Sequence, residues 1–392
     1  MEWYGTLPER WETRKIKYTF SERVEKGFPD EPLLVASQNM GVVPKLVYGS
    51  RTVEAMKDLH NLKLVCVGDF VISLRSFQGG LEYAYYKGII SPAYTVMIPN
   101  KHIASGYFRY LAKSSPFIEL LKMCVTGIRE GQNVDYSKLK NHQIPLPPRS
   151  EQDAIVRYLD WKVSGVNRLI AAKRRQVEML TEMKRAVVNE AVKNQAGIIK
   201  FKYLLRVKSG DALTNDILST DETLNPVYGG GKLIGYYPKT NASADNIIIG
   251  RVGANCGCVT KLNKDSWATD NALIVQTEEN VAYLVYLLMS AELNKLNEAN
   301  AQPLITGSKV LNYETPYTLD IIKQQKIVAH LDKVCYNIDS ATDKLNVEVA
   351  LLGEYRTRLI ADVVTGKIDV RGVDVPVADC TGEVEEDWVV EE

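Results

Sequence analysis

Apolar residues recur at steps of three and four over two long stretches of the chain. Val166, Leu169, Val177, Leu180, Val187 and Ala191 follow this step, with Lys173 and Lys184 as polar interruptions. Ile338, Leu345, Val349, Leu352, Leu359 and Val363 repeat it, interrupted by Thr342 and Arg356. Each stretch reads as a seam of about four heptads and predicts a long packed helix. At about 1.5 Å per residue, roughly forty residues make a rod of about 60 Å, which cannot bury its stripe alone.

The two stretches are copies of one another. Gln152-Asp153-Ala154-Ile155-Val156-Arg157-Tyr158-Leu159-Asp160 lies over Gln324-Gln325-Lys326-Ile327-Val328-Ala329-His330-Leu331-Asp332. The same shift then pairs Val166 with Ile338, Val177 with Val349, Leu180 with Leu352, Val187 with Leu359 and Val192 with Val364, without a gap. An internal repeat of this kind governs the reading of everything else. Equal register favours pairing of the two helices with each other; the alternative is one long helix packed on each globular domain.

A fainter repeat lies between the helices. Phe70-Val71-Ile72-Ser73-Leu74-Arg75 and Asn246-Ile247-Ile248-Ile249-Gly250-Arg251 are strand-like runs that end in Arg and lead into Gly-containing loops. Each precedes a second strand, Tyr94-Thr95-Val96-Met97 or Ala272-Leu273-Ile274-Val275, and then a helix, about 104–122 or 281–299. Aligned in this way, Arg75 and Arg251 hold equivalent places. Lys15-Ile16-Lys17-Tyr18 echoes Ile199-Lys200-Phe201-Lys202-Tyr203, so both domains open alike. The predicted organisation is α+β: a globular domain over 1–150, a helical spacer over 151–197, a second globular domain over 198–322, a second spacer over 323–372 and an acidic tail over 373–392.

Composition adds limits. With 45% hydrophobic residues and no apolar run near the roughly 20 residues of a membrane span, the chain has material for soluble cores. Its start, Met1-Glu2-Trp3-Tyr4-Gly5, has no charged and apolar signal-peptide regions, so a cytoplasmic protein is expected. The cysteines are scattered, and the close pair Cys256 and Cys258 has neither a second pair nor a nearby histidine to complete a zinc site. Lys plus Arg and Asp plus Glu both total 48, but Asp374, Asp379, Glu383, Glu385, Glu386, Asp387, Glu391 and Glu392 all follow the last cation, Arg371. A basic body with an acidic tail is compatible with a nucleic-acid partner.

Several segments together resemble the specificity subunit of type I restriction-modification enzymes. They are Leu7-Pro8-Glu9-Arg10-Trp11, Ile144-Pro145-Leu146-Pro147-Pro148 before Glu151-Gln152, Pro226-Val227-Tyr228-Gly229-Gly230, Arg251-Val252-Gly253-Ala254-Asn255, Trp267-Ala268-Thr269-Asp270-Asn271-Ala272 and Val364-Thr365-Gly366-Lys367-Ile368-Asp369-Val370-Arg371. Two departures stand out. The approach to the second helix, Tyr317-Thr318-Leu319-Asp320-Ile321-Ile322-Lys323, lacks the proline pair, and Lys232 replaces an Asn common in relatives. The resemblance implies two target-recognition domains alternating with two long helices that pair as an antiparallel coiled coil, an internal repeat with pseudo-two-fold symmetry. It further implies a double-stranded DNA target read as a bipartite, asymmetric site. The implied partners are two methyltransferase subunits and two restriction subunits, which would carry S-adenosylmethionine and ATP; this chain would hold no cofactor and no metal.

Candidate readers follow from side-chain chemistry. Arg suits guanine and Asn or Gln suits adenine, which singles out Arg75, Gln78, Arg251, Asn255 and Asn271. Ser37, Gln38, Asn39 and Lys45 form another polar loop. Tyr228, Gly230 and Lys232 flank a glycine-rich turn, where the backbone could approach a partner and Tyr228 and Lys232 would project from the rim. The plain reading of each is a turn or surface residue. No catalytic constellation accompanies them: Asn225-Pro226-Val227-Tyr228 differs from the base-holding tetrapeptide of amino-methyltransferases at its third position, and Gly231-Lys232-Leu233 is not the end of a phosphate loop. The four histidines are dispersed. The rival readings are a self-contained DNA methyltransferase or nuclease, which needs a cofactor loop or carboxylate cluster, and a coiled-coil scaffold, which would not be retained on DNA.

Overall fold

The computed structural model describes residues 2–48, 58–127, 133–193, 195, 197–296 and 304–376. The tail acids from Asp379 onward, Cys380 and the last residues of the expected 281–299 helix lie outside them. The chain forms two units, one built from Met1–Lys173 with Val347–Glu392 and the other from Arg174–Asn346. Both contain a globular domain and parts of both long helices.

The long helices are Arg149–Lys193 and Ile321–Val364. In the first unit they run antiparallel, with Arg356 Nη1 donating to Asn167 Oδ1 at 2.7 Å and Lys173 paired with Glu348. In the second unit Lys184 meets Asp339 at 2.7 Å. Deep burial occurs where a globular domain also covers the pair: Leu159, Val163, Leu359 and Val363 in the first unit, Val188, Val192, Leu331 and Cys335 in the second. Elsewhere a two-helix seam covers only a narrow stripe, and Leu169, expected in it, is 45% exposed while Ile170 turns inward at 9%.

The helix limits differ from the expected spacers for local reasons. The first helix stops at Lys193 because Gly197–Lys200 is a strand, paired in register with Glu314–Tyr317. The second begins at Ile321 because the Asp320 carboxylate accepts from the amides of Ile322 and Lys323, a cap that replaces the missing prolines. It ends at Val364, whose carbonyl accepts from Tyr107 Oη at 3.1 Å, and the chain then turns so that Val370 enters the core. The expected helix at 104–122 is two helices, Ser105–Lys113 and Ser115–Met123, broken at Ser114, which is extended. Its counterpart is Val281–Ser290.

Both domains repeat one topology. A two-stranded ribbon closes each base, Glu12–Lys15 with Gln143–Leu146 and Gly197–Lys200 with Glu314–Tyr317. A four-stranded sheet follows, ordered Phe20–Arg23, Thr95–Pro99, Phe70–Ile72, Glu82–Tyr83 in the first domain. In the second the order is Arg206–Ser209, Ala272–Gln276, Ile247–Gly250, Val259–Lys261. Side chains alternate across these sheets: Phe70 and Ile72 face the helix-side core as Ile247 and Ile249 do, whereas Val71 and Ile248 face the opposite cluster. The sequence alignment of the two strands is therefore off by one residue. Leu74, not Arg75, is the counterpart of Arg251, because a one-residue slip would put every side chain on the wrong face.

Further contacts recur. Tyr110 Oη and Tyr286 Oη donate to the Oδ1 atoms of Asp160 and Asp332, each at 2.6 Å. Gln152 and Gln324 are buried and donate to the carbonyls of Pro147 and Thr318 at 2.9 and 2.8 Å. The Arg10 guanidinium clasps Glu151 with two bonds of 3.0 and 2.7 Å, which ties the Leu7–Trp11 segment to the first long helix.

Candidate nucleic-acid interface

In the first domain, Leu34–Ser37 and Gly41–Pro44 pair as a hairpin with Gln38, Asn39 and Met40 at its tip. Ser37 is buried, and its Oγ accepts from the Met40 amide at 3.3 Å, so Ser37 shapes the turn instead of facing outward. Gln38 Nε2 donates to the Arg75 carbonyl at 3.1 Å. That bond joins the hairpin tip to the short helix Ser76–Gly79, where Arg75 and Gln78 are exposed. Gln38, Arg75 and Gln78 are thus gathered at one place. Lys45 is not among them. It lies at the other end of the hairpin, its amide bonded to Leu33, about 13 Å of strand away from the tip.

Residues that sequence reasoning missed hold this cluster. Lys113, at the end of Ser105–Lys113, donates to the Gln38 carbonyl at 3.0 Å and to Glu82 Oε2 at 2.8 Å. Glu82 is fully buried, and burial pushes its carboxyl up to about 7 against the opposing pull of Lys113. Its other oxygen has no hydrogen-bond partner.

In the second domain, Asn225–Gly229 and Lys232–Tyr237 form a hairpin whose loop is Gly230-Gly231, with φ of +59° and +86°. Two residues at positive φ match the twist of a tight hairpin, which is why glycines stand there. The close approach they allow is to the protein itself. Gly250 packs so near the tip that a Cβ on it would lie 2.1 Å from the Asn255 carbonyl oxygen and 2.4 Å from that of Gly230. Gly230 is buried, so it supports the loop and does not face a partner. Tyr228 likewise does not project from the rim: its ring packs against the cluster of Ala242, Ile248 and Ile274, and burial raises its hydroxyl pKa.

The remaining candidates converge on this hairpin. Lys232 is exposed at the start of the return strand. The Arg251 amide donates to the Asn271 carbonyl at 3.0 Å, its Nη1 reaches Ser209 Oγ at 3.3 Å, and its buried Nε has no partner. Asn255 sits beside Gly230 across the Gly250 contact. One guanidinium, one ammonium and two amide side chains therefore share a loop cluster, the donor and acceptor set that reads base edges and phosphates. Thr260 Oγ1 donates to the Gly231 carbonyl at 2.7 Å and anchors the tip from beneath.

Neither cluster holds a nucleophile with a base. Among the described residues, no three of His, Cys, Asp or Glu come together as a metal-binding group, and no helix is long and apolar enough to cross a membrane. A cavity of about 650 Å³ is lined by Ser115, Glu354, Arg358, Asp362 and Lys367, and its Arg358 and Lys367 are paired with Asp362.

Known proteins place this architecture. Residues 8–179 match the family model described as the type I restriction modification DNA specificity domain. A type I restriction enzyme EcoprrI specificity subunit from Escherichia coli is 26% identical over 150 residues, 37% of each chain. A relative from Methanocaldococcus jannaschii is 26% identical over 207 residues, 47% of this chain and 46% of its own. These matches span less than half the length of either relative. A solved structure concerning complex assembly and conformational transition of the type I R-M system shares the fold with a TM-score of 0.67 at 14% identity, over 93% of this chain and 100% of that one. Over residues 8–179, the chain is thus similar to the type I restriction modification DNA specificity domain.

Proposed function

We propose that the chain is the DNA-recognition subunit of a type I restriction-modification complex, with each domain reading half of a bipartite, asymmetric site. The observation that carries this reading is the pair of loop clusters. Each joins a hairpin tip to the loop that follows a strand of a four-stranded sheet, and the two sheets share one strand order, yet one cluster offers Gln38, Arg75 and Gln78 and the other Lys232, Arg251, Asn255 and Asn271. One scaffold with two sets of readers suits two unlike half-sites. The chain performs no catalysis of its own in this reading. It directs two methyltransferase subunits and two restriction subunits in the cytoplasm, and S-adenosylmethionine and ATP act on those partners.

Mapping DNA methylation in cells with and without this chain tests the proposal. The expected result is one two-part motif that disappears with the chain. Methylation that persists unchanged, or methyl transfer by the purified chain alone, refutes it.

A further inference from the structure

The two four-stranded sheets set one residue of each domain at the same point, opposite Val71 in the first and Ile248 in the second. That residue is Glu82 in one and Thr260 in the other. Both are tied to the tip of a neighbouring hairpin. Thr260 donates directly to the Gly231 carbonyl at 2.7 Å. Glu82 has no comparable donor, and Lys113 bridges the gap, with 2.8 Å to Glu82 Oε2 and 3.0 Å to the Gln38 carbonyl.

The donor comes from different elements in the two domains. Tyr107, Tyr110 and Ser114 match Tyr283, Tyr286 and Ser290, and both serines donate to the carbonyl three residues before them. On that alignment the counterpart of Lys113 is Met289, which packs against the apolar core and has no proton to give. The first domain therefore anchors its turn from a helix end with a cation held on a buried carboxylate. The second anchors its turn from the sheet with a hydroxyl.

Resting on the DNA-reading function above, we propose that Lys113, seated on Glu82, and Thr260 are positioning residues that fix the two recognition turns, each for its own half-site. Neither touches DNA in this role. Lys113 spends its ammonium on two protein acceptors, and the Thr260 hydroxyl hydrogen is directed at Gly231. What they control is where Gln38 and Lys232 stand, and base reading needs placement to within about 0.5 Å.

The test uses the full chain and four variants. Lys113→Met is combined with Glu82→Gln so that no buried carboxylate is stranded, and Thr260→Val removes the hydroxyl; Lys113→Arg and Thr260→Ser are the conservative controls. Selection of bound duplexes from a randomised pool reads base preference in each half-site. Hydrogen exchange of the free chain reads the amides at 38–40 and 230–232. Discrimination is expected to fall about tenfold in one half-site only, the scale of one lost base preference. Exchange should quicken at the matching turn, the conservative controls should retain wild-type behaviour, and the slope of log affinity against log salt should be unchanged.

Unaltered preference and exchange would overturn the proposal. So would loss in both half-sites from one variant, or a salt slope flatter by about 0.9 for the Lys113 variant, which marks a phosphate contact. If the wild-type chain shows no sequence preference, the DNA-reading function fails, while the exchange data still decide whether these residues anchor the turns.

Discussion

Replacing Glu82 by Gln should stabilise the first unit at neutral and alkaline pH, although it removes an ion pair. Burial lifts the Glu82 carboxyl from 4.5 to about 7 even with Lys113 at 2.8 Å. Between those values the folded chain keeps a proton that the unfolded chain has released, so stability falls as pH rises through the window. At about 1.36 kcal/mol per pH unit, the loss between pH 5 and pH 8 comes to roughly 2 to 3 kcal/mol. Glutamine retains the shape and an oxygen for Lys113, and carries no charge to desolvate. Urea unfolding of wild type and variant at pH 5 and pH 8 isolates the effect, because other titrating groups cancel in the difference. The variant should gain about 2 to 3 kcal/mol over wild type between the two pH values. A constant difference, or a wild type that gains on the variant as pH rises, would show that the carboxylate is better solvated or better paired than its burial implies.

Three other outcomes are expected. Gly250→Ala would drive a Cβ to 2.1 Å from a backbone oxygen, and should cost the second unit about 3 kcal/mol in urea unfolding. Lys232→Ala should weaken DNA binding and flatten the salt slope by about 0.9 if the exposed ammonium meets a phosphate, or change base preference at constant slope if it reads a base. Inserting seven residues after both Arg174 and Asn346 keeps the seam in phase and adds about 10 Å of helix, so the unspecified gap in the methylated motif should grow by about three base pairs. An unchanged gap would mean that the helices do not set the spacing.

The repeat was legible because helical periodicity and register survive in sequence even where identities do not. Gln152 over Gln324 and Asp160 over Asp332 recur as buried or bonded partners in both units. The candidate loops were legible as well, since glycine turns and Arg-terminated strands mark themselves. What was lost is what depends on facing. Arg75 and Arg251 looked equivalent because composition does not show which side of a sheet a residue occupies, and only the alternation of Phe70, Ile72, Ile247 and Ile249 exposes the slip. Tyr228 and Gly230 looked like contact residues because the sequence does not show that Gly250 and Asn255 close over the hairpin. Lys113 and Glu82 carried no signal, since their pairing joins a helix end to a strand 31 residues away.

The discontinuous make-up of the first unit also orders events during synthesis. Its core needs Leu359, Ile360, Val363, Val364 and Val370 against Trp11, Ile155 and Leu159, whereas the second unit is one uninterrupted stretch. At about 5 to 20 residues per second, the ribosome takes roughly 10 to 40 s to pass from the end of the first segment to those closing residues. During that interval the domain made first waits with its apolar helix face uncovered, and the domain made second can complete its own core. A chain that stops before residue 347 would strand the older domain in that waiting state, exposed to chaperones and proteases, while leaving the younger one whole.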